Sequence, residues 1–296
     1  MTDASNDLHH VTREELPALF KYLERHLPHS WTLYATVRES AEGRWTDNSR
    51  FYTLGWPDIR AVGLGEPYST SRVYNYHTKP RTTCVFSPVL QDSRALLTHP
   101  GFIDWTQNCM FQATPTELGE TIVSLSREHG SRDVMPIRHV CTCMIAQPGD
   151  VELRPTPEDV TVRRLTSSDA AFVSENWTHR RAGSDDYVRE LVQRFPSVGV
   201  FDRDGGCLGY EVGTEYGTMG MLYVKPEARG QGLGSVITTH LAHSYFLDGL
   251  PAVVNILAKN LGSVQLHERL GFKPMCGLDL ILHVPADKFT GDIFGM

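Results

Sequence analysis

A glycine-rich turn between a predicted strand and a predicted helix has the residue types best suited to bind a ligand. Residues 222–224 favour a buried strand, and Pro226 ends it because proline cannot donate a backbone hydrogen bond. Three glycines follow within residues 229–234, and apolar residues recur from Leu233 onward at helical spacing. Glycine lets a ligand approach the main chain, and the start of a helix presents unpaired N–H groups. The pattern therefore predicts a site for a pyrophosphate group.

Two common phosphate-binding motifs do not match this turn. The dinucleotide fingerprint Gly-x-Gly-x-x-Gly requires a different spacing from that of Gly230, Gly232 and Gly234. The Walker loop requires Gly-Lys followed by Ser or Thr, which this stretch lacks. A turn that binds nothing is the remaining alternative, since glycine turns are common.

Two stretches resemble the signatures of the GNAT acyltransferase superfamily. Residues 229–234 resemble the Arg/Gln-x-x-Gly-x-Gly/Ala signature, and residues 260–272 resemble the later motif Asn-x-x-x-x-x-Leu-Tyr-x-x-x-Gly-Phe. The resemblance implies that the loop amides and the helix start hold the pyrophosphate of coenzyme A. The coenzyme A-binding residues that it implies are Leu222, Tyr223, Val224, Arg229, Gly230, Gln231, Gly232, Leu233, Gly234, Ser235, Asn260 and Ser263.

Most of the chain, from about residue 16 to 275, is also similar to the animal glycine N-acyltransferase family. The shared pattern comprises Leu27-Pro28, the predicted strand at 31–37, Trp56-Pro57-Asp58, Ile103-Asp104-Trp105, Phe195-Pro196, Met219-x-Met221 and Pro226-Glu227-x-Arg229. Those enzymes carry an additional N-terminal domain of GNAT-like topology. They transfer an acyl group from coenzyme A to the amino group of glycine or a related amino acid.

The predicted fold class is α/β with a mixed sheet, arranged as two GNAT-like domains of which the C-terminal one carries the acyl-CoA site. The polar, proline-bearing stretch 148–159 is predicted to link a domain at 1–147 to a domain at 160–296. In the first domain a capping box at Thr12 and Glu15 predicts a helix start. Its other predicted elements are strands at 31–37, 60–63, 82–86, 109–112 and 138–146, and helices at 92–97, 102–104 and 117–128.

The second domain is predicted to follow the GNAT element order β–α–α–β–β–β–α–β–α–β, with the glycine turn before its third helix. Its predicted strands cover 160–165, 197–201, 207–212, 218–224, 252–258 and 278–284, and its other helices cover 166–177, 184–194 and 260–270. We expect the strand at 252–258 to run parallel to the strand at 218–224 and to diverge from it. The resemblance implies that the free backbone there pairs with the pantetheine arm.

Acyl transfer to an amine needs a base for the amine proton and an acid for the departing thiolate. The resemblance implies a glutamate early in the strand, but this chain has Thr218 there, which is no base near neutral pH. A water molecule held by Thr218 or by a backbone carbonyl is one alternative. Glu215 and Glu211 are others, although both are expected to be exposed carboxylates of the hairpin. His179 is a further residue that could face the acceptor.

The family tyrosine position is occupied by His267, which is a candidate acid because histidine titrates near neutral pH. A histidine packed against the sheet is the alternative. Asn260 is expected to bond the pantetheine arm or the loop, and capping of the helix is its alternative role. The candidate catalytic residues are therefore Thr218, Glu215 and His267.

Composition limits the partners and the location. Lys plus Arg number 28 and Asp plus Glu number 35, a net charge of −7, which argues against a general nucleic-acid binder. No run approaches the roughly 20 apolar residues that span a membrane. Residues 1–10 lack the apolar core of a signal peptide and the arginines of a transit peptide, so a cytoplasmic location is expected, although the resemblance makes a mitochondrial one possible. Reduced thiols are expected for the six scattered cysteines, and no metal site is predicted.

The sequence therefore predicts an acyl-CoA:amino acid N-acyltransferase that works by direct attack in a ternary complex. Acyl-CoA is a co-substrate, no permanently bound cofactor is expected, and the second substrate is a small amino acid or amine. An amine or protein N-acetyltransferase is one alternative. A coenzyme A-binding protein with little turnover is another, suggested by Thr218.

Overall fold

The computed structural model describes residues 7–45, 50–65, 81–130, 137–180 and 183–285. The chain divides into two compact units: unit 1 comprises Met1–Cys141 and Cys276–Met296, and unit 2 comprises Thr142–Met275. All six cysteines lie within the described residues, and none of them forms a disulfide. In the part of the chain that the structure describes, no helix combines the length and the hydropathy needed to cross a membrane.

In its described residues, unit 1 forms a mixed sheet with four α-helices. Its elements are β1 (Leu8–His10), α1 (Leu16–Glu24), α2 (Trp31–Ala41), β2 (Arg50–Leu54), β3 (Ala61–Gly65), β4 (Arg81–Phe86), α3 (Leu90–Leu97), β5 (Cys109–Pro115), α4 (Thr116–His129), the start of β6 (Ile137–Ala146) and most of β12 (Lys273–His283). The strand order is β1-β2-β3-β4-β5-β12, and β4 and β5 run parallel. Its core includes Phe111, Ile122 and Ile281, which are fully buried.

The strand predicted at 31–37 is wrong, because these residues form the first two turns of α2. The helix is buried on most of its circumference, and its buried residues include Trp31, Leu33, Thr36 and Val37. A helix without a polar face loses its 3.6-residue signal. Its aromatic and β-branched residues then imitate a strand.

The helix predicted at 102–104 is also absent, since Phe102 lies in a turn and the next two residues are irregular. The Asp104 carboxylate accepts hydrogen bonds from Thr106 N at 3.1 Å and Thr106 Oγ1 at 2.6 Å. Such local side-chain bonds compete with helix formation. By contrast, the capping box at Thr12 and Glu15 is confirmed, because Thr12 N donates to Glu15 Oε2 at 2.8 Å where the first helix begins.

Unit 2 is a second mixed sheet with four helices. Its elements are the end of β6, β7 (Thr161–Arg163), α5 (Ala170–Glu175), α6 (Ser184–Arg194), β8 (Ser197–Phe201), β9 (Cys207–Gly213), β10 (Met219–Val224), α7 (Leu233–Leu247), β11 (Ala252–Leu257) and α8 (Leu261–Arg269). The strand order is β6-β11-β10-β9-β8-β7. Strands β10 and β11 are parallel, whereas β7, β8, β9 and β10 pair antiparallel in succession. Helix α7 packs its apolar side against this sheet to form the core.

The element order β–α–α–β–β–β–α–β–α–β occurs twice, from β1 to β6 and from β7 to β12. The order in the second half is the predicted one. The last strand of each half lies next to the fifth strand of the other half: β12 pairs with β5, and β6 neighbours β11. The chain is therefore a mixed α/β fold built from two similar halves.

The two units are not divided at the predicted linker. The contacts place the boundary inside β6 and return residues from Cys276 onward to unit 1, because β12 pairs with β5. Within unit 2 the stretch 148–159 is attached to α7: Val151 is 3 % exposed, and Arg154 N donates to Thr239 Oγ1 at 3.2 Å. The boundaries at 147 and 160 stay a prediction.

Candidate active site

The glycine turn joins β10 to α7 within unit 2. Gly230 and Gly232 have φ values of 77° and 79°, and Gly232 is the residue that precedes α7. A Cβ atom added to either glycine would meet no other atom within 4 Å. The glycines are thus required by the left-handed backbone rather than by close packing, and the space beside the turn is open to a ligand.

The start of α7 faces this open space with unpaired donors. The first helical bonds run from Ser235 N and Val236 N to Gly232 O, at 3.0 and 3.2 Å. The N–H groups of Leu233 and Gly234 precede them and have no partner inside the helix. They lie at the positive end of the helix dipole, so this turn fits a pyrophosphate.

Arg229 is attached to the end of β10. Its Nε donates to Val224 O at 3.0 Å, which uses one of the five donors of the guanidinium. The side chain is otherwise exposed. The bond holds a positive charge beside the turn while four N–H donors are left over for an anion.

Strand β10 contains a β-bulge in its middle. Gly220 pairs with Val212 and Tyr223 pairs with Tyr210, so two residues of β10 face the single residue Glu211 of β9. Met221, inside the bulge, has φ of 59°. A bulge turns backbone groups out of the ladder, and this one lies in the strand that leads into the glycine turn.

Strands β10 and β11 diverge directly after they meet. Met219 pairs with Val254, and no later residue of these two strands, both of them fully described, forms a register pair. Residues 221–224 are only half-buried. The divergence agrees with the prediction and leaves the backbone of Leu222 and Val224 facing a gap that an extended ligand can enter.

Thr218 stands immediately before this gap. Its side chain is 7 % exposed, and its Oγ1 lies 2.9 Å from Thr214 Oγ1. The Thr214 N–H also donates to Thr218 O at 2.9 Å. Thr218 therefore closes the hairpin between β9 and β10 and has only a hydroxyl to offer to chemistry.

Both nearby glutamates are buried, so the prediction that they are exposed is wrong. Glu215 is 5 % exposed, and its two oxygens accept from the Tyr187 hydroxyl at 3.0 and 3.2 Å. Glu211 is 1 % exposed and accepts from Thr238 Oγ1 of α7 at 2.9 Å. Burial raises the pKa of Glu211 to about 8. Glu211 is buried because helices α6 and α7 both contact β9, whereas a hairpin read from sequence has an open face. Glu215 lies in the loop after β9, against Tyr187 of α6.

His267 belongs to α8, and its side chain is buried. Its side chain is 2 % exposed, it meets the edge of Phe272, and its Nδ1 lies 2.8 Å from Ser263 O. A carbonyl only accepts, so Nδ1 carries the hydrogen and Nε2, which is buried without a partner, carries a lone pair. Burial lowers the pKa of His267. The role as acid stays a prediction, and it needs the imidazolium form that burial disfavours.

Asn260 caps α8, as the alternative prediction stated. Its Oδ1 accepts from Ser263 N at 3.2 Å, which fixes the first turn of the helix. The capped helix ends at Arg269. His179 lies between α5 and α6, where its ring makes an edge contact with Trp177.

Two residues that the sequence analysis missed stand near the gap. Tyr187 binds Glu215 from α6, but a tyrosine in an amphipathic helix gives no distinct sequence signal. Asn255 is the single polar residue of β11, in Ala-Val-Val-Asn-Ile-Leu. Its Oδ1 is buried without a hydrogen-bond partner. A lone amide in an apolar buried strand is the signal that would have found it.

Solved structures similar to this chain define its class. A crystal structure of a Drosophila protein superposes with a TM-score of 0.80 at 20 % identity, covering 94 % of this chain and 98 % of the other. A tandem GNAT protein from the clavulanic acid biosynthesis pathway gives a TM-score of 0.52 at 12 % identity, covering 95 % and 100 %. The chain therefore has the fold of the tandem GNAT proteins.

The family follows from the sequence comparisons. The model of the aralkyl acyl-CoA:amino acid N-acyltransferase family matches residues 8–196, and that of the FR47-like proteins matches residues 197–276. The chain belongs to the aralkyl acyl-CoA:amino acid N-acyltransferase family. Glycine N-acyltransferase of Bos taurus is 24 % identical over 280 residues, covering 88 % of this chain and 93 % of the relative.

A shorter match leads to another acyltransferase. Mycothiol acetyltransferase of Streptomyces avermitilis is 32 % identical over 134 residues, which cover 39 % of this chain and 44 % of the relative. All of these relatives are acyltransferases by name. The family consists of acyl-CoA-dependent acyltransferases, which supports acyl transfer as the activity of this chain.

Proposed function

We propose that this protein transfers an acyl group from acyl-CoA to the amino group of glycine or a related small amino acid, by direct attack in a ternary complex. The observation that carries the proposal is the gap where β10 leaves β11, directly before an open glycine turn at a helix start. The gap suits an extended pantetheine arm and the turn suits a pyrophosphate. The similarity to glycine N-acyltransferase supports the acceptor class.

Coenzyme A would be held mainly by backbone groups. The pyrophosphate lies against the N–H groups from Gly230 to Ser235, with Arg229 beside them. The pantetheine arm lies in the gap and pairs with the backbone of Leu222 and Val224. The thioester carbonyl then reaches the bulge of β10, where an N–H released from the ladder acts as the oxyanion donor.

The reaction needs no covalent enzyme intermediate. The amine lone pair attacks the thioester carbon, forming a C–N bond and an oxyanion that the bulge stabilises. The C–S bond then breaks and coenzyme A leaves as the thiolate. The amine gives up one proton to a base, and the thiolate takes one from water or from His267.

Glu215 is the carboxylate we assign to the proton of the amine, acting through a water molecule at Thr218. It follows Thr214, whose hydroxyl touches Thr218 Oγ1, so both residues belong to one short loop. Glu211 bonds to Thr238 of α7 instead, on the other face of the sheet. This assignment leaves Thr218 as a holder of water rather than a base.

Two other functions have an observation in their favour. The match to mycothiol acetyltransferase favours acetyl transfer to another amine. Thr218, in place of a carboxylate, favours a coenzyme A-binding protein with little turnover. Both alternatives use the same proposed coenzyme A site. In the first the acetyl group passes to another amine, and in the second the thioester is bound with little turnover.

Release of free thiol from acetyl-, benzoyl- and long-chain acyl-CoA separates these functions. Each donor is tested with glycine, glutamine, other amino acids and simple amines, and with blanks that contain no acceptor. Release that depends on an amino acid, with the N-acyl product identified by mass spectrometry, is the expected result. Tight coenzyme A binding without any acceptor-dependent release would overturn the proposal.

A further inference from the structure

The unpartnered amide of Asn255 lies at the point where the two strands of the gap separate. Val254 is the last residue of β11 that pairs with β10, and Asn255 follows it directly. A buried amide oxygen without a hydrogen bond costs on the order of 1–3 kcal/mol. In a strand of apolar residues, such an atom indicates a site for a ligand group that donates a hydrogen bond to it.

The face on which Asn255 lies follows from the alternation of the strands. Met219 and Val254 pair with each other, and both belong to the core that α7 covers. Successive side chains of a strand point to opposite faces. Thr218, Gly220 and Asn255 therefore share the other face, the one that α7 does not cover.

The same face has room for a substrate. A Cβ atom added to Gly220 would meet no atom within 4 Å, so space is open between Thr218 and the bulge. A thioester held in the gap can be attacked only from this side, because α7 and its core fill the other side. Thr218 Oγ1 and Asn255 Oδ1 thus border the path of the attacking amine.

We propose that Asn255 binds the acceptor amine, and that Thr218 and Asn255 together select primary amines. This inference rests on the proposed function. A neutral primary amine has two N–H groups and one lone pair. When Oγ1 of Thr218 and Oδ1 of Asn255 each accept one N–H, the lone pair is left to attack the thioester carbon. The C–N bond and the oxyanion form first, the C–S bond then breaks, and one amine proton leaves through the water held beside Thr218. A secondary amine satisfies only one of the two acceptors.

The test compares glycine with its N-methyl counterpart, sarcosine, and alanine with N-methylalanine. Initial rates give kcat and KM of the wild-type chain, of Asn255→Leu and of Asn108→Leu. Asn108 lies in unit 1 and also has a buried Oδ1 without a partner, so it is a matched control. Thermal unfolding of all three proteins is recorded alongside.

The wild-type chain is expected to prefer each primary amine over its N-methyl counterpart by about tenfold, the worth of one hydrogen bond. Asn255→Leu raises KM for glycine by about tenfold, leaves KM for acyl-CoA unchanged and abolishes the preference over sarcosine. It does not lower the melting temperature, because the amide it removes makes no bond in the free protein. Asn108→Leu changes none of the kinetic constants.

Two results would overturn the inference while leaving the proposed function intact. One is an unchanged ratio of glycine to sarcosine rates in Asn255→Leu. The other is a lower melting temperature with KM for glycine unaltered, which marks a structural role. If the wild-type chain acylates none of the amines, the proposed function itself fails, and with it the inference.

Discussion

Thr218, at the proposed site where the amine loses its proton, has a neutral side chain, and the carboxylates of Glu215 and Glu211 are bonded to other residues. Thr218 faces the gap with a hydroxyl, whereas Glu215 is engaged by Tyr187 and Glu211 by Thr238. The two carboxylates lie in different surroundings, one in the hairpin loop and one beneath α7. The proposed acyl transfer therefore depends on which of these two carboxylates can accept a proton from an amine in the gap.

Glu215→Gln tests the assigned base. Glutamine still accepts a hydrogen bond from Tyr187 but takes up no proton, so kcat is expected to fall by about 100-fold, the lower range for general-base catalysis. KM for acyl-CoA stays the same, because the residue lies outside the glycine turn. Tyr187→Phe, which keeps the carboxylate, is the control. Retention of activity within about twofold in Glu215→Gln would assign the proton to water alone.

Glu211 predicts a pH dependence of stability. Its pKa is raised by burial from 4.5 to about 8, so the folded protein holds this proton more tightly than the unfolded chain. The stabilisation that protonated Glu211 gives the folded state is complete below the pKa of the unfolded chain. It is lost as the pH rises towards the pKa of the folded state, by on the order of 1.4 kcal/mol per pH unit.

Urea unfolding at pH 5.5 and pH 8 measures this effect. Glu211→Gln mimics the protonated acid and does not titrate, so its free energy of unfolding should exceed that of the wild type by more at pH 8 than at pH 5.5. Equal pH slopes for the two proteins would show that Glu211 is ionised in the folded state.

The elements that form the site are a bulged strand, a glycine turn and a helix start, and each was visible in the sequence to a different degree. The turn and α6, predicted at 184–194 and found as Ser184–Arg194, have clear local signals. The bulge of β10 has no local signal, because it follows from the pairing with β9.

Helix α2 of unit 1 was predicted wrongly as a strand, because burial on most of its sides leaves it without a polar face.

Gly232 gives a prediction at the scale of the turn. Gly232→Ala places a Cβ on a left-handed residue, which strains the turn and obstructs the face that a pyrophosphate would occupy. KM for acyl-CoA is expected to rise by about tenfold or more, the equivalent of about 1.4 kcal/mol.

Gly205→Ala is the matched control, because Gly205 also has positive φ (84°) and open space around it, but lies in the turn between β8 and β9. It should lose similar stability and keep its KM. Equal KM changes in the two variants would mean that the turn binds no phosphate.

The whole chain repeats one order of elements, yet only the second half carries the glycine turn. In the first half, β4 is joined to α3 by Ser87-Pro88-Val89, which has no glycine. The repetition was predicted through the family resemblance and not from an internal repeat of residues, since it lies in the order of elements. The pairing of β12 with β5 could not be predicted from the sequence, because two strands so far apart in the chain pair without leaving a local pattern.

Removal of residues 276–296 tests this arrangement. The truncation deletes the part of β12 that pairs with β5, including the fully buried Ile281, while every assigned coenzyme A residue remains. An open edge of β5 and an incomplete core are expected to cause aggregation or a markedly lower melting temperature. A monomeric truncated protein with the wild-type melting temperature would contradict the assignment of β12 to unit 1.

We propose that acyl-CoA lies in the gap between β10 and β11 and against the turn before α7. Hydrogen–deuterium exchange of the full chain, with and without coenzyme A, tests it directly. Coenzyme A is expected to slow exchange of the amides at 221–224 and 230–235, with no comparable change at 87–93, the corresponding turn of unit 1. Protection confined to unit 1, or none at saturating coenzyme A, would show that coenzyme A does not bind at this gap and turn.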